Sequence, residues 1–258
     1  MGKVYLVGAG PGAPDLLTVR AARILERADV VFHDALVHRE VLALASRARI
    51  VPVGKRCSQI STDQRFINRS LVEAASRYQT VVRLKGGDPM MFGRAQEELD
   101  ALAAQGVDCE VVPGITAALA AAAELKISLT RRGLSRSVVL ATPRIGTDQH
   151  AGEWAAAVAA ADTAVLYMGA GEARPLADAL KQAGLPGSCP IALVQSASLP
   201  GTRNLYTTLD ELPRRAPEMS SAGPTVVVLG EVLRRALSAH RSGEEPVAEP
   251  LATRASGA

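Results

Sequence analysis

The sequence predicts an α/β protein of two lobes built on a mainly parallel sheet, and three observations carry that expectation. Short β-branched or Leu-rich runs end in Gly, Pro or Asp and alternate with longer segments of helical apolar spacing. The chain has 258 residues, of which 48% are hydrophobic and 21% charged, a globular composition. Single cores stop growing near roughly 250 residues, so this length suits two moderate lobes better than one.

In chain order, strands are expected at 4–7, 30–32, 50–53, 81–84, 110–112, 138–141, 164–167, 191–194 and 225–229. The first run stops at Gly8, the third at Gly54, the fourth before Gly86 and Gly87, and the fifth at Pro113-Gly114. Between the strands, apolar residues recur three and four apart at 16–27, 65–76, 96–104 and 172–182, and these read as helices covering the sheet. The Ala-rich stretch 117–123 is a good helix former, and the Pro113-Gly114 pair before it marks a break. The expected lobes are therefore 1–113 and 114–239. Residues 240–258 are polar, rich in Gly, Pro and Ala and without periodicity, and are expected not to fold.

Composition excludes several classes of function. Lys plus Arg exceed Asp plus Glu by 29 − 26 = 3, too small a surplus for binding duplex DNA through its phosphates. Eight aromatics (Phe 3, Trp 1, Tyr 4) offer few rings for stacking single-stranded nucleic acid. Cys57, Cys109 and Cys189 are odd in number and never in a CxxC pair, so reduced thiols in the cytoplasm are expected rather than disulfides or zinc. His33, His38, His150 and His240 show no HExxH spacing, and no metal is expected. GxSxG and P-loop motifs are absent. The longest apolar run, 115–123, is far short of the roughly 20 residues that span a bilayer. No export leader is expected, nor N-myristoylation, because Leu6 stands where that signal needs Ser or Thr.

The first strand runs into GAGPGAPDLLT, where Gly8, Gly10 and Ala13 satisfy the loose dinucleotide pattern GxGxx(G/A), with Asp34 about 20 residues on at the end of the second strand. A dehydrogenase would use the glycines to bring a pyrophosphate to a helix N-terminus and Asp34 to hold the ribose. Pro11, Gly12 and Pro14 crowd this turn, and the two prolines lack backbone donors, so the loop suits a close backbone approach better than an anion cradle. A plain Gly/Pro turn stays open as well. A second corner is RLKGGDPMMFGR. Asp88 as N-cap and Pro89 at the first helical position account for it without any function, whereas Gly86 and Gly87 mark backbone that a ligand approaches closely. VVPGIT and LYMGAG are two more such corners. Four of them suggest one crevice at the carboxyl edge of an open sheet, suited to a ligand with many edges such as a nucleoside.

Asp34, in VVFHDALV, either caps a helix beginning at Ala35 or faces the crevice. Lys55, in VPVGKR, is either solvated or the amine of a proton-transfer pair with Asp34, and spacing leaves both open. Arg56, Arg65, Arg69, Arg83, Arg94, Arg131, Arg132 and Arg136 form a dense set. Such sets are usually exposed helix faces, but around a crevice they would bind carboxylates as forks.

The segments VYLVGAGPGAPDLLTVRA, DALV, VGKR, VVRLKGGDPMMFGR, VVPGITAA and LYMG, in this order over nearly the whole folded length, resemble the uroporphyrinogen-III C-methyltransferases. Related tetrapyrrole methyltransferases share the GAGPG opening and a GDP turn, while the joint VGKR and GGDPxxFGR signature is the more specific. The resemblance implies the tetrapyrrole methylase fold, with a mainly parallel sheet in the first lobe and a mixed sheet in the second. It also implies a homodimer, S-adenosylmethionine held between the lobes, and no metal, nucleic acid or membrane partner. The implied reaction is methylation of uroporphyrinogen III at positions 2 and 7, giving precorrin-2 by way of precorrin-1 and releasing S-adenosylhomocysteine.

By the same resemblance Asp34 is the proton acceptor and Lys55 the proton donor. Donor binding falls to Pro11, Gly86, Gly87, Asp88, Met91, Thr116, Ala117 and Met168, and to Ala197 in place of the family's glycine. Arg94, Arg131 and Arg132 are candidates for the substrate's carboxylates. Departures from the family pattern are Ala13 for Asp, Ile60 for His, Ala95-Gln96 for Gly-Gly, TRRGLSRS for THRDYAQS, ATPRIG for a Thr-Gly-His stretch, and Gln195-Ser196-Ala197 for Glu-Asn-Gly. They fall mainly in regions assigned to the macrocycle, so the donor is better supported than the acceptor. The alternatives are methylation of a later corrin intermediate, a Rossmann-type NAD-dependent dehydrogenase, and a non-catalytic module that retains the nucleoside pocket.

Overall fold

The computed structural model describes residues 1–54, 64–144, 153–219 and 223–242. Its first sheet contains β1 (Lys3–Gly8), β2 (Val30–His33), β3 (Arg49–Pro52), β4 (Thr80–Lys85) and β5 (Cys109–Val112). The helices between and after them are α1 (Val19–Glu26), α2 (Arg39–Ala43), α3 (Gln64–Arg77), α4 (Ala95–Ala103) and α5 (Ala117–Glu124). The rest of the chain forms β6 (Val138–Ala141), α6 (Glu153–Ala159), β7 (Thr163–Tyr167), α7 (Ala173–Gln182), β8 (Pro190–Gln195), β9 (Arg203–Thr208), α8 (Leu212–Arg215), β10 (Thr225–Gly230) and α9 (Arg234–Ser242).

The first sheet has the order β3-β2-β4-β1-β5, with every neighbouring pair parallel. The second has the order β6-β7-β10-β8-β9 and is mixed. This is the α/β class that the alternating pattern predicts. Helices cover both faces of the first sheet, which is why runs such as 4–7 and 30–32 are apolar on every residue. On one face Val4, Leu6, Val30, Phe32 and Val81 pack with Ile67, Leu71 and Ala74 of α3 and Leu102 of α4. On the other, Val7, Val31, Val82, Leu84 and Val112 pack with Ala21, Ile24 and Leu25 of α1 and Val41 of α2. In the second sheet Leu166, Ile191, Leu193 and Leu229 form a core with Val158, Leu176, Leu180 and Leu212.

Several expected boundaries move for identifiable reasons. The expected helix at 16–27 starts only at Val19: Pro14–Leu16 forms a 3₁₀ turn, and the Thr18 hydroxyl caps the helix by accepting from Ala21 N at 3.1 Å. β9 lacks an apolar run because it is an edge strand whose first two residues are exposed. α2 spans five residues, too few to show a period. α9 extends to Ser242, so 240–242 of the tail expected to be unfolded are helical, and the remainder of that tail lies outside the described residues.

The chain clusters into two compact units, one of Met1–Lys126, Val194–Arg203 and Ala222–Val226, the other of Ile127–Leu193, Asn204–Ser221 and Val227–Ala258. The change of unit therefore falls after α5 rather than at 113/114. α5 stays with the first unit because Gly114, just before it, packs on Gly8, and Glu124 at its end accepts from Ser198 N at 2.8 Å.

Within the first unit the connection leaving β1 runs toward β2, and the one leaving β4 runs the opposite way toward β5. Neighbouring strands whose connections run opposite ways open a crevice at their carboxyl ends. The backbone there is packed too closely for side chains. A Cβ on Gly114 would collide with Gly87 O and lie 2.9 Å from Gly8 Cα, and one on Gly8 would lie 2.6 Å from Gly114 Cα. Gly114→Ala is expected to cost about 1–3 kcal/mol, as overpacking does. Gly171→Ala, where an added Cβ meets nothing within 4 Å, should stay within about 0.5 kcal/mol of the parent in urea denaturation.

Candidate active site

Three of the four glycine corners meet in the first unit. Gly10 and Gly87 form an isolated antiparallel bridge, with Gly10 N donating to Gly87 O at 3.2 Å and Gly87 N to Gly10 O at 2.7 Å. Both have φ near +70° (68° and 69°), a conformation that favours glycine. Asp88 ties this pair to the third corner: its Oδ2 accepts from Gly114 N at 2.9 Å and its Oδ1 from Met90 N at 2.8 Å. It does not cap a helix, because α4 begins at Ala95 and residues 89–93 form turns and bends. Met91 N closes the turn onto Asp88 O at 3.2 Å. Beside Gly87 there is room, since an added Cβ would meet nothing closer than Ala117 N and Thr116 Cα at 3.9 Å.

The segment after β8 completes this edge. Ala197 is buried between Ser196 and Ser198, two non-glycine residues with φ of +54° and +71°. Such conformations cost energy and concentrate at functional sites. Ser198 Oγ accepts from Ala13 N at 3.1 Å, joining the segment to the first corner. Pro11, Gly86, Gly87, Asp88, Met91, Thr116, Ala117 and Ala197 thus all belong to one unit. A backbone-lined edge with open space at Gly87 fits the edges of a nucleoside. Met168 belongs to the second unit, at the end of β7, with φ +59° and 43% exposure.

Asp34 follows β2 and does not cap a helix at Ala35, since α2 starts at Arg39. Gly54 permits its turn, because a Cβ there would lie 2.6 Å from Ala35 N and 2.8 Å from Asp34 Cα. The Asp34 side chain is 30% exposed, and its Oδ1 accepts from Arg83 Nη2. Arg83 Nε donates to Glu98 Oε1 at 2.9 Å, and Lys85 Nζ donates to both Glu98 oxygens at 3.0 Å. Gln64 Nε2 adds a bond to Glu98 Oε1 at 3.1 Å. Burial opposes the charge on Arg83, but Asp34 and Glu98 outweigh it and hold the guanidinium above its ordinary pKa. For Lys85, burial and the Arg83 charge prevail over Glu98 and lower its pKa.

Lys55 lies outside the described residues. Arg94 stands at the N-cap of α4 with φ +54° and forms an exposed two-pronged pair with Glu97, both bonds at 2.7 Å. Arg131 and Arg132 belong to the second unit, in an exposed turn closed by Arg131 N donating to Ser135 O at 2.9 Å. Among the described residues no group of three His, Cys, Asp or Glu is placed to hold a metal ion, and no helix is long and apolar enough to cross a membrane. Burial pushes the Cys109 and Cys189 thiols up to about 11, which keeps both protonated at neutral pH.

Sequence reasoning missed the roles of Arg83, Lys85, Glu98, Gln64 and Ser198. A signal existed for the first two: they alternate inside an apolar strand, VVRLK, where a cation has to find a buried partner. The dinucleotide motif fails on geometry. The first α-helix after Gly10 starts only at Val19, so the helix that follows this loop does not begin at its glycines, and Asp34 is engaged by a guanidinium.

Comparison with known proteins bears on this geometry. Residues 3–213 match the family model described as Tetrapyrrole (Corrin/Porphyrin) Methylases. The chain is 44% identical over 237 residues to the uroporphyrinogen-III C-methyltransferase of Pseudomonas aeruginosa, covering 92% of this chain and 96% of that protein. It is also 44% identical over 235 residues to the siroheme synthase of Azotobacter vinelandii, covering 91% of this chain but 51% of that protein. It therefore spans about half the length of the siroheme synthases it matches. A solved structure of the Thermus thermophilus uroporphyrin-III C-methyl transferase complexed with S-adenosyl homocysteine superposes with a TM-score of 0.79 at 39% identity, covering 90% of this chain and 99% of that one.

Asp88→Ala removes the acceptor that joins two corners. It should cost about 1.5–3 kcal/mol of stability, the range for hydrogen bonds to charged groups. It should also speed amide exchange at Gly114 while leaving the strands of the second sheet protected.

Proposed function

The chain belongs to the tetrapyrrole (corrin/porphyrin) methylases, and from that membership we propose that it methylates uroporphyrinogen III at positions 2 and 7, giving precorrin-2 by way of precorrin-1. The observation that carries this reading is the 44% identity to the Pseudomonas aeruginosa enzyme over nearly the full length of both chains. S-adenosylmethionine, when bound, supplies a sulfonium methyl group that an electron-rich pyrrole carbon attacks in line.

The protein's part is then mostly positional. The corner backbone at Gly86, Gly87, Thr116 and Ala117, with Pro11, Asp88, Met91, Ala197 and Met168, holds the donor, and the site excludes water while donor and acceptor carbon stay in near-attack geometry. Asp34 accepts the proton that the macrocycle must lose and Lys55 acts as proton donor. Arg94, Arg131 and Arg132 bind substrate carboxylates. The same reading makes the protein a cytoplasmic homodimer without metal, nucleic acid or membrane partner.

The departures at 130–137 and 195–197 favour one competing acceptor, a later corrin intermediate. Anaerobic incubation with uroporphyrinogen III and methyl-labelled donor separates the two: two labels per tetrapyrrole are expected, and none would defeat the acceptor assignment. S-adenosylhomocysteine should raise the melting temperature while NAD leaves it unchanged, since only a ligand of the native state stabilises it. Asp34→Asn is expected to lower turnover about 100-fold or more, the range of general acid–base catalysis, with donor affinity retained. Equal losses in both would make Asp34 a structural residue.

A further inference from the structure

We propose that Arg83 is a positioning residue for Asp34, clamping its carboxylate in one ionised orientation, with Glu98 and Lys85 as the buried counter-charges that let Arg83 stand there. This rests on the reading of Asp34 as proton acceptor. Strand parity sets the arrangement up. Val30 and Phe32 of β2 and Val81 of β4 share the sheet face covered by α3 and α4, and alternation along each strand puts Asp34, Arg83 and Lys85 on that same face. Parallel register aligns Phe32 with Arg83 and His33 with Leu84. Glu98 comes from α4 and Gln64 from α3.

The side chains of Arg83 and Lys85 are each 3% exposed and Glu98 is fully buried, so none of the three ends in solvent. Arg83 is held through all three nitrogens: Nε on Glu98, Nη2 on Asp34, and Nη1 on Leu84 O at 3.3 Å. Only a planar fork bridges two carboxylates in this way, which a lysine cannot do. Charges alternate along Asp34, Arg83, Glu98 and Lys85 and sum to zero, the condition for burying them.

A guanidinium stays protonated, so Arg83 relays no proton. It acts by its charge and by holding Asp34 still. Among the described residues, the titratable groups beside Asp34 on its own segment are His33, whose Nδ1 lies 3.0 Å from Asp34 O, and His38, four residues on in the chain at the start of α2. From the packed elements come Arg83 and Lys85 of β4 and Glu98 of α4.

The test compares Arg83→Met, which leaves Glu98 paired with Lys85 and Asp34 at the solvent edge, with Lys85→Met/Glu98→Gln, which leaves Arg83 paired with Asp34. Neither leaves a buried charge without a partner. The order of the Asp34 side chain is followed by ¹³C NMR relaxation, assigned with Asp34→Asn, and kcat and KM for methyl transfer are measured for each variant. Losing Arg83 should free the Asp34 side chain and lower kcat about 10- to 100-fold, the usual effect of a misplaced group, while KM and S-adenosylhomocysteine affinity stay within about threefold. Lys85→Met/Glu98→Gln should leave the order of Asp34 as in the parent, because Arg83 still grips it by its fork. Equal changes in the two variants, or none in either, would overturn the clamp. A side chain freed only without Arg83, beside an unchanged kcat, would uphold the clamp and remove Asp34 as proton acceptor.

Discussion

The site depends on the contact of bare backbone at Gly8, Gly87 and Gly114. Three strand ends come closer there than any side chain allows, and an added Cβ on Gly8 or Gly114 would sit 2.9 Å or less from backbone atoms, which have no room to adjust. From this contact follow the Gly10–Gly87 bridge, the reach of Asp88 across to Gly114, and the placement of α5 with the first unit. The backbone edge is thus a product of sheet topology, since β1 and β4 are neighbours whose connections run opposite ways.

The second feature is electrostatic. A parallel sheet buried on both faces ordinarily excludes charge, yet β4 ends in Arg83 and Lys85, both internal. Glu98 resolves the conflict by accepting from both, and Asp34 takes the remaining fork of Arg83 at the edge where solvent begins. One surface carboxylate is thereby tied to an interior that cannot easily rearrange, because breaking any one pairing leaves a buried charge uncompensated. Under the proposed reaction the anchored carboxylate and the backbone edge would serve one need, since methyl transfer requires both partners held in near-attack geometry.

Much of this was legible in the chain. Runs such as Val4 to Val7 and Ile191 to Val194 are apolar on every residue because both their faces are covered, and the glycine corners announce close approach through Gly86-Gly87 and Pro113-Gly114. β9 was not legible, because an edge strand with exposed Arg203 and Asn204 carries no apolar run. Nor was the unit boundary, since α5 is attached by Gly114 and Glu124 to residues far away in sequence. At the site, Asp34 and Asp88 were visible as carboxylates, but spacing admitted helix caps that the starts of α2 and α4 rule out. The partnership of Arg83 with Glu98 joins a strand to the following helix, and only the fold brings them within 2.9 Å.

If the glycine corners of the first unit hold the donor, titration of ¹⁵N-labelled protein with S-adenosylhomocysteine will register there. The largest amide shifts should fall at Gly10, Gly86, Gly87 and Ala117, with little change in the groove between α3 and α4 lined by Asn68, Val72 and Ala101. Saturable shifts confined to that groove, or to any surface away from the corners, would place the donor elsewhere.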